Sequence, residues 1–209
     1  MKKRCVIVSA GDFSALDYRG FEDFKSDYII AADGGYTYLK EMGITPNLCI
    51  GDFDSLGFAP NDCPIQRLPV EKDCTDTDAA IRKGLEAGCT EFLLLGMLGG
   101  SRLSHTLANL QSLSVLAEKH IPHNLVGNDV SVKALSEEDT AYFHESDNCH
   151  VSVLAITDTA RVTLRGLHYS GEHLTINNRF PLGVSNSTDR KEGSVYCEQG
   201  MILVITEEK

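Results

Sequence analysis

Two aspartates separated by a single residue are the first candidates for chemistry in this chain. Asp52 and Asp54 lie in the segment Gly51-Asp52-Phe53-Asp54-Ser55, directly after the apolar run Leu48-Cys49-Ile50. A strand that ends near Gly51 would place both carboxylates at the carboxyl edge of a sheet, where open α/β sheets bind their ligands. Mg²⁺ is typically held by one or two carboxylates and takes its other ligands from water and substrate phosphates. The pentapeptide thus predicts either a metal–phosphate site or an ordinary acidic turn, and it does not decide between them.

A second acidic cluster lies in the segment Glu71-Lys72-Asp73-Cys74-Thr75-Asp76-Thr77-Asp78. Its carboxylates flank one lysine, so Asp76 is a candidate to complete a metal site while Lys72 neutralises a phosphate. The alternative is a structural role, because threonine or aspartate caps a helix and acids are favourable in the first helical turn. The local residues favour capping.

Two glycine-containing segments are candidates for phosphate binding. Ala32-Asp33-Gly34-Gly35 joins a predicted strand to a predicted helix, and its glycines let backbone amides approach a ligand at a helix N-terminus. The segment from Gly96 to His105 follows another predicted strand and carries Arg102, whose guanidinium matches phosphate oxygens. Neither is a Gly-x-Gly-x-x-Gly or Walker motif, so ordinary turns remain the alternative. His105 is not assigned as a general base.

The remaining polar motifs are weaker. Gly183-Val184-Ser185-Asn186-Ser187 groups compact donors and acceptors, although a polar β-turn is its default interpretation. The other histidines lack metal-ligand spacing and are expected on the surface: His120, His123, His144, His150, His168 and His173.

Short continuous apolar runs must position these motifs. Such runs are typical of strands buried on both faces of a parallel sheet. The predicted strands are residues 5–9, 28–32, 48–50, 65–68 and 92–95. The predicted helices follow Gly34-Gly35 and stop at Gly43, run from Thr75 or Asp76 to about 87, and run from about 104 to 119. Strands alternating with helices predict a doubly wound, mostly parallel sheet.

The pattern changes after about Val130. Short alternating segments separated by Gly, Asn, Asp and Ser clusters predict a small antiparallel β-domain, a sandwich or a barrel. The clearest segments are 150–156, 161–164, 173–176 and 201–205. The polar stretch Ser136-Glu137-Glu138-Asp139 is the expected linker, so the predicted domains are residues 1–135 and 140–209.

Composition limits the classes of function. The 209 residues include 19 Lys and Arg against 30 Asp and Glu, a formal net charge of −11, which repels nucleic acid and anionic membranes. Seven cysteines without a Cys-x-x-Cys pair favour free thiols in a reducing compartment. The apolar run of residues 5–10 is too short for a secretory core or a membrane span. We therefore expect a cytoplasmic protein without nucleic-acid or membrane partners.

In their order, these motifs resemble the thiamin pyrophosphokinase family. The resemblance runs through Ala32-Asp33-Gly34-Gly35, Gly43-Ile44-x-Pro46 leading into Ile50-Gly51-Asp52-Phe53-Asp54-Ser55, Glu71-Lys72-Asp73-x-Thr75-Asp76, Arg102-Leu103-x-His105-Thr106-Leu107-Ala108-Asn109 and Gly183-x-Ser185-Asn186. Each motif alone is weak, but five in register span most of the chain.

The resemblance implies a Rossmann-like, doubly wound α/β domain that binds ATP, followed by an antiparallel β-sandwich domain that binds thiamine. It implies Mg²⁺-dependent transfer of pyrophosphate from ATP to the hydroxyethyl group of thiamine, giving thiamine diphosphate and AMP. Carried over by residue, the catalytic and metal-binding residues are Asp52, Asp54 and Asp76. The implied nucleotide-binding residues are Asp33, Gly34, Gly35, Lys72, Thr75, Arg102 and His105, and the implied thiamine-binding residues are Ser185 and Asn186. The family also implies a homodimer with thiamine between the α/β domain of one subunit and the β-domain of the other.

Three departures from the family pattern concern the acceptor more than the metal. The family usually has Gly-Gly-Arg-x-Asp-His where this chain has Gly100-Ser101-Arg102-Leu103-Ser104-His105, so Ser104 replaces a carboxylate and Ser101 a glycine. Ser187 stands where an acidic residue is usual, and the chain contains no tryptophan. Phe180 or Tyr169 is the expected aromatic partner of the cationic ligand.

Three other functions would use some of the same residues. A diphosphokinase for another heterocyclic alcohol, such as a hydroxymethylpterin, would keep the metal site, although Ser185-Asn186 favours thiamine. A phosphatase with an Asp-x-Asp nucleophile normally carries that pair after its first strand, whereas Asp52 and Asp54 follow about the third. A non-catalytic nucleotide- or vitamin-binding protein would not need so many metal-ligand acids.

Overall fold

The computed structural model describes residues 3–13, 26–54, 56–69, 71, 73–189 and 191–209. Ser55 and Lys72 lie outside the described residues, so the role predicted for Lys72 stays a prediction. The chain divides into two compact units, which are Met1–Ser112 with Pro122–Asn128 and Leu113–Ile121 with Asp129–Lys209.

Six parallel strands organise the described part of the first unit. They are β1 (Arg4–Val8), β2 (Tyr28–Ala32), β3 (Leu48–Gly51), β4 (Ile65–Arg67), β5 (Glu91–Leu95) and β6 (His123–Gly127). Their order is β6-β5-β1-β2-β3-β4, and every neighbouring pair is parallel. The chain therefore adds β2, β3 and β4 on one side of β1 and then crosses to add β5 and β6 on the other. This reversal beside β1 is a topological switch point.

The apolar runs explain the strands of this unit. The predicted strands match β1 to β5 to within one residue at each end. The side chains of β1 from Cys5 to Val8 and of β5 from Phe92 to Leu95 are almost fully buried, as expected for strands covered on both faces. Strand β6 was not predicted, because His-Asn-Leu-Val-Gly is not a continuous apolar run. His123 in β6 is buried, so the predicted surface position was wrong for this histidine.

Three helices accompany the strands of the described chain: α1 (Gly35–Glu41), α2 (Asp76–Glu86) and α3 (Leu103–Ala117). Helix α1 packs on β1 and β2, and α2 packs on β1, β2 and β3. The start of α1 requires a glycine, because a Cβ at Gly35 would lie 2.0 Å from the carbonyl oxygen of Val8. The predicted stop of α1 is confirmed, since the helix ends before Gly43, which has a φ of +69°.

Eight strands occur in the described residues of the second unit. They are β7 (Val130–Leu135), β8 (Thr140–Phe143), β9 (Cys149–Ala155), β10 (Thr159–Arg165), β11 (Gly171–Asn177), β12 (Asn186–Ser187), β13 (Gly193–Gln199) and β14 (Ile202–Glu208). One set runs in the order β12-β9-β14-β7 and the other in the order β11-β10-β13-β8, and all pairs within them are antiparallel. Buried side chains such as Val151, Val162, Val195 and Ile202 form their apolar core.

The segments predicted in this region correspond to β9, β10, β11 and β14, whereas β7, β8, β12 and β13 were not predicted. Strand β7 precedes the polar stretch 136–139 and pairs with β14 in the second unit. The domain limits 1–135 and 140–209 stay a prediction. The chain has a mixed α/β fold with a mostly parallel and an antiparallel part. No helix among the described residues is long and apolar enough to cross a membrane.

Candidate functional site

The carboxyl ends of β1, β2, β3 and β5 open into one cleft of the first unit, together with the first turns of α2 and α3. Its volume is about 460 Å³. Six of the predicted site residues line it: Asp33, Asp52, Thr75, Asp76, Arg102 and His105. Three carboxylates and one guanidinium, far apart in the sequence, therefore meet beside the topological switch point, where sheets of this kind bind ligands.

Asp33 is held where β2 ends. Its backbone has a φ of +47°, in the left-handed region that is uncommon for residues other than Gly, Asn and Asp. Its N–H donates to the carbonyl of Ile50 at 2.8 Å, which ties the end of β2 to β3. Gly51 favours this approach, because a Cβ there would make a tight contact of 3.2 Å with the Cα of Asp33. Asp33 and Asp52 are thereby brought to the same edge of the sheet.

The turn after β3 separates Asp52 from Asp54. Asp52 is half-buried and lines the cleft, and its Oδ1 accepts a hydrogen bond from the Asp54 N–H at 3.0 Å. Phe53 has a φ of +64° and is buried in the apolar core, so its ring anchors the turn. Asp54 is exposed and does not belong to the lining of the cleft. The role of Asp54 in metal binding therefore stays a prediction. Its contact with Asp52 is made by the backbone N–H.

The start of α2 combines capping with a place at the cleft. Thr75 caps the helix, because its Oγ1 accepts a hydrogen bond from the Asp78 N–H at 3.0 Å. Asp78 instead pairs with Arg82 at 2.9 Å. Asp76 lines the cleft beside Thr75, and its Oδ1 is shielded from solvent. A helix N-terminus at this place favours an anionic ligand group.

The loop after β1 belongs to the cleft, although none of its residues was a predicted site residue. The segment Ser9-Ala10-Gly11 lines the cleft. The Gly11 N–H donates to the carbonyl of Gly96 at 2.6 Å, and the Ser9 Oγ lies 3.3 Å from the Thr77 Oγ1. These contacts connect β1 with the glycine-rich loop after β5 and with α2. The sequence signal for this segment is its place directly after a predicted strand of the parallel sheet, where ligands bind.

A buried asparagine in α3 fixes the glycine-rich loop. The Nδ2 of Asn109 donates to the carbonyl of Met97 at 2.8 Å. Asn109 belongs to the motif of residues 102–109, which by itself predicts no role for this side chain. Arg102 and His105 are exposed at the start of α3 and line the cleft. The guanidinium of Arg102 is therefore accessible to phosphate oxygens of a ligand in the cleft.

The structure does not bring every predicted nucleotide-binding residue to the cleft lining. Gly34 and Gly35 are absent from it, and Gly35 is buried against the backbone of Val8. Lys72 is outside the described residues.

Ser185 and Asn186 lie in the second unit, at the short strand β12. Ser185 is exposed with a φ of +62°, and its N–H donates to the Oγ of Ser152 at 3.2 Å. Asn186 is buried, and its amide is engaged with the backbone of Tyr169. The ring of Tyr169 is exposed. Asn186 thus supports an exposed aromatic side chain.

Residues 24–125 match the family model described as thiamin pyrophosphokinase, catalytic domain. The matched segment contains Asp33, Asp52, Asp76 and Arg102, the charged residues of the cleft. A thiamine pyrophosphokinase of Bacillus subtilis is 25% identical over 207 residues, which cover 95% of this chain and 96% of that protein. The family model thus covers just under half of the chain, and the relative extends the similarity to thiamin pyrophosphokinases over nearly its whole length.

Solved thiamin pyrophosphokinase structures share the fold over both units. The crystal structure of the Bacillus subtilis protein has a TM-score of 0.84 at 23% identity and covers 100% of both chains. That of thiamin pyrophosphokinase from Geobacillus thermodenitrificans has a TM-score of 0.82 at 25% identity and covers 99% of this chain and 98% of its own. Ser185 and Asn186 lie beyond the segment matched by the family model, within the fold shared by these structures.

The donor set of this cleft fits a divalent cation that binds together with a polyphosphate. Asp33, Asp52 and Asp76 supply carboxylate oxygens. Among the residues that the structure describes, no three His, Cys, Asp or Glu side chains form a ready-made metal cluster. Mg²⁺ does not need such a cluster, because water and substrate phosphates complete its coordination.

Proposed function

We propose that this chain catalyses Mg²⁺-dependent transfer of a pyrophosphate group from ATP to the hydroxyl group of thiamine, giving thiamine diphosphate and AMP. Thiamine diphosphokinase activity follows from the family and the shared fold. One observation carries the details: Asp33, Asp52, Asp76 and Arg102 meet in a single cleft at the topological switch point.

Asp52 and Asp76 would hold the metal, and Asp54 belongs to the same proposed set. Bound Mg²⁺ would neutralise phosphate charge and orient the transferred group. The N–H of Asp54 holds the carboxylate of Asp52 at 3.0 Å, so the turn keeps this side chain directed for binding. The three acids of the cleft also explain why a polyphosphate would bind with a cation, since carboxylates alone repel it.

The phosphates of ATP would be held by donors of the chain itself. The first turn of α2, capped by Thr75, offers backbone N–H groups to an anion. The exposed guanidinium of Arg102 binds phosphate oxygens with its planar fork of donors. Asp33, Gly34, Gly35, Lys72 and His105 complete the proposed nucleotide site. Transfer of this kind needs in-line positioning and charge neutralisation and no covalent nucleophile.

The acceptor would be thiamine, bound at Ser185 and Asn186. Thiamine is a cation, and the exposed rings of Tyr169 and Phe180 offer π faces to it. We further propose a homodimer in which the first unit of one chain and the second unit of its partner build each active site.

The deciding experiment incubates the purified chain with ATP, Mg²⁺ and thiamine, in parallel with a hydroxymethylpterin, and identifies both products by mass. AMP together with thiamine diphosphate is expected, and chelation of Mg²⁺ should abolish both. AMP with only the pterin diphosphate would overturn the acceptor and retain the metal site. Nucleotide binding without AMP formation in either reaction would indicate a non-catalytic binding protein.

The shared active site has its own test. An Asp76→Asn chain and an Asn186→Ala chain are mixed, so that each carries one defective unit. In a mixed dimer, one site would combine the two intact units, and turnover should recover. Two chains that each stay defective after mixing, although they exchange subunits, would place the whole site in one chain.

We also propose a cytoplasmic location. All seven cysteines are free thiols, which suits a reducing compartment. Fractionation of cells that express the chain tests this, and recovery with secreted proteins would contradict it.

A further inference from the structure

Cys49 and Cys63 face each other at the apolar core of the first unit. Their Sγ atoms are 3.0 Å apart. Cys49 lies in β3, and Cys63 lies shortly before β4. The two thiols therefore bracket the segment that carries Asp52 and Asp54.

The neighbouring strands hold the two thiols in this position. The Cys49 N–H donates to the carbonyl of Pro64 at 2.8 Å, and Cys49 is aligned with Ile65 in the parallel pair of β3 and β4. Asp62, next to Cys63, accepts a hydrogen bond from the hydroxyl of Tyr36 at 2.7 Å. Since an S–S bond is about 2.0 Å long, bond formation requires the two sulfurs to approach by about 1 Å.

Exposure distinguishes this pair from the other thiols. Cys49 is buried, whereas Cys63 is partly exposed, so a small oxidant reaches Cys63 first. Cys5 and Cys89 are also neighbours, but both are buried. Cys74 is exposed and serves as the reference for simple surface oxidation.

The two sulfurs have different tasks. Burial raises the pKa of the Cys49 thiol, and it also raises the pKa of the Cys63 thiol. A hydrogen bond from Cys49 works in the opposite direction on the pKa of Cys63, because it stabilises the Cys63 thiolate. The pKa of Cys63 stays raised overall, so its greater exposure is what makes Cys63 the sulfur that reacts first.

We propose that Cys49 and Cys63 form an oxidation site for hydroperoxides. The Cys63 thiol releases its proton, the thiolate attacks hydrogen peroxide, and the O–O bond breaks, so that a sulfenic acid forms and the departing hydroxide takes up that proton as water. The Cys49 sulfur then attacks the Cys63 sulfur, the S–O bond breaks, and the hydroxyl leaves as a second water molecule with the Cys49 proton. Two thiols and one hydrogen peroxide thus give one disulfide and two water molecules, and two electrons pass from sulfur to oxygen.

The effect on catalysis rests on the proposed function. Disulfide formation shortens the Sγ–Sγ distance by about 1 Å, and a misplacement of this size passed on to a reacting group can cost roughly 100-fold in rate. Cys49 lies in β3, and Asp52 directly follows that strand. We therefore expect the oxidised protein to turn over several-fold to about 100-fold more slowly and to recover with dithiothreitol.

The test treats the full chain with hydrogen peroxide, blocks the remaining thiols under denaturing conditions and maps the peptides by mass. The seven thiols should fall by two, with one peptide that joins Cys49 to Cys63. The thermal unfolding midpoint should rise, because a closed segment restricts the unfolded chain. Retention of all thiols, or a bond between Cys5 and Cys89 instead, would overturn the oxidation site.

Cys63→Ser is the matched control, with Cys63→Ala as a second variant should the hydroxyl lower stability. Both retain Cys49 and the exposed Cys74, and their basal turnover should stay near that of the wild type. Thiol counting and peptide mapping need no turnover, so the oxidation site is testable even when pyrophosphate transfer fails. Inhibition that dithiothreitol reverses, found in the wild type and not in the Cys63 variants, supports an effect of the disulfide on Asp52. Equal inhibition of Cys63→Ser, or a disulfide without inhibition, overturns that link.

Discussion

The side-chain amide of Asn186 binds the backbone of Tyr169 with both its oxygen and its nitrogen. The Oδ1 of Asn186 accepts the Tyr169 N–H at 2.9 Å, and its Nδ2 donates to the Tyr169 carbonyl at 2.7 Å. The same Oδ1 accepts the N–H of Ser187 at 2.9 Å. The buried amide thus fixes the position from which the exposed ring of Tyr169 projects.

Asn186→Ala should impair thiamine binding through Tyr169. We expect a higher KM for thiamine with little change in the KM for ATP, together with a loss of about 1–3 kcal/mol in stability from the unsatisfied backbone groups. Steady-state kinetics and urea unfolding measure the two effects. Asn178→Ala, at an exposed asparagine of the same unit, is the control. A rise in the KM for ATP alone would contradict the proposed position of the acceptor.

Asp52→Asn and Asp76→Asn should disable the metal site. A neutral amide is a poorer ligand for Mg²⁺ than a carboxylate. We expect kcat/KM to fall roughly 100-fold or more, the scale of one lost preorganised electrostatic contact, and the Mg²⁺ requirement to rise. Asp54→Asn should have a smaller effect, because its side chain lies outside the cleft lining. Circular dichroism checks the fold of each variant, and near-normal turnover of Asp52→Asn would remove it from the site.

Arg102→Lys should raise the KM for ATP although it preserves the charge. Lysine lacks the planar fork that binds two phosphate oxygens at once. The expected rise is about 10- to 100-fold, which corresponds to a charged hydrogen bond of about 1.5–3 kcal/mol. Arg82→Lys is the control, since Arg82 is exposed and pairs with Asp78. An unchanged KM for ATP in Arg102→Lys would exclude a bidentate contact.

Glu198 should contribute to stability in a pH-dependent way. Hydrogen bonds from His173 and Thr163 lower the pKa of its carboxyl from 4.5 to about 2, with a further contribution from Arg161. Because the folded pKa is depressed, the stabilisation is present above about pH 4.5 and is lost as the pH falls through about 2.

The measurement compares urea unfolding of the wild type and Glu198→Gln across this range. The wild type should be more stable near neutral pH, and the difference should shrink on acidification. Glu172→Gln, at an exposed pair with Arg165, should change little. A difference that stays constant from neutral pH to pH 2 would show that the charge of Glu198 is not the cause.

Local sequence patterns predicted the strands well where burial is continuous. The apolar runs of β1 to β5 follow from side chains that must be covered on both faces, and the cap at Thr75 follows from its own hydroxyl. The strands β7, β8, β12 and β13 were missed, because none of them contains an apolar run as long as those of β1, β2 and β5. Where the local pattern is weak, pairing with distant strands decides whether a segment forms a strand.

The sequence by itself determined which residue types stand at the ends of which strands, and with them the charged groups available to the site. Only the tertiary structure decided which of these ends meet. The order that places β1 between β2 and β5 brings Ser9-Ala10-Gly11 beside the glycine-rich loop, and the left-handed backbone at Phe53 accompanies the separation of Asp54 from the cleft. The contacts of Asn186 with Tyr169 and of Cys49 with Cys63 also join residues that are distant in the chain. Such contacts depend on strand pairing and close packing, which no local spacing of residues encodes.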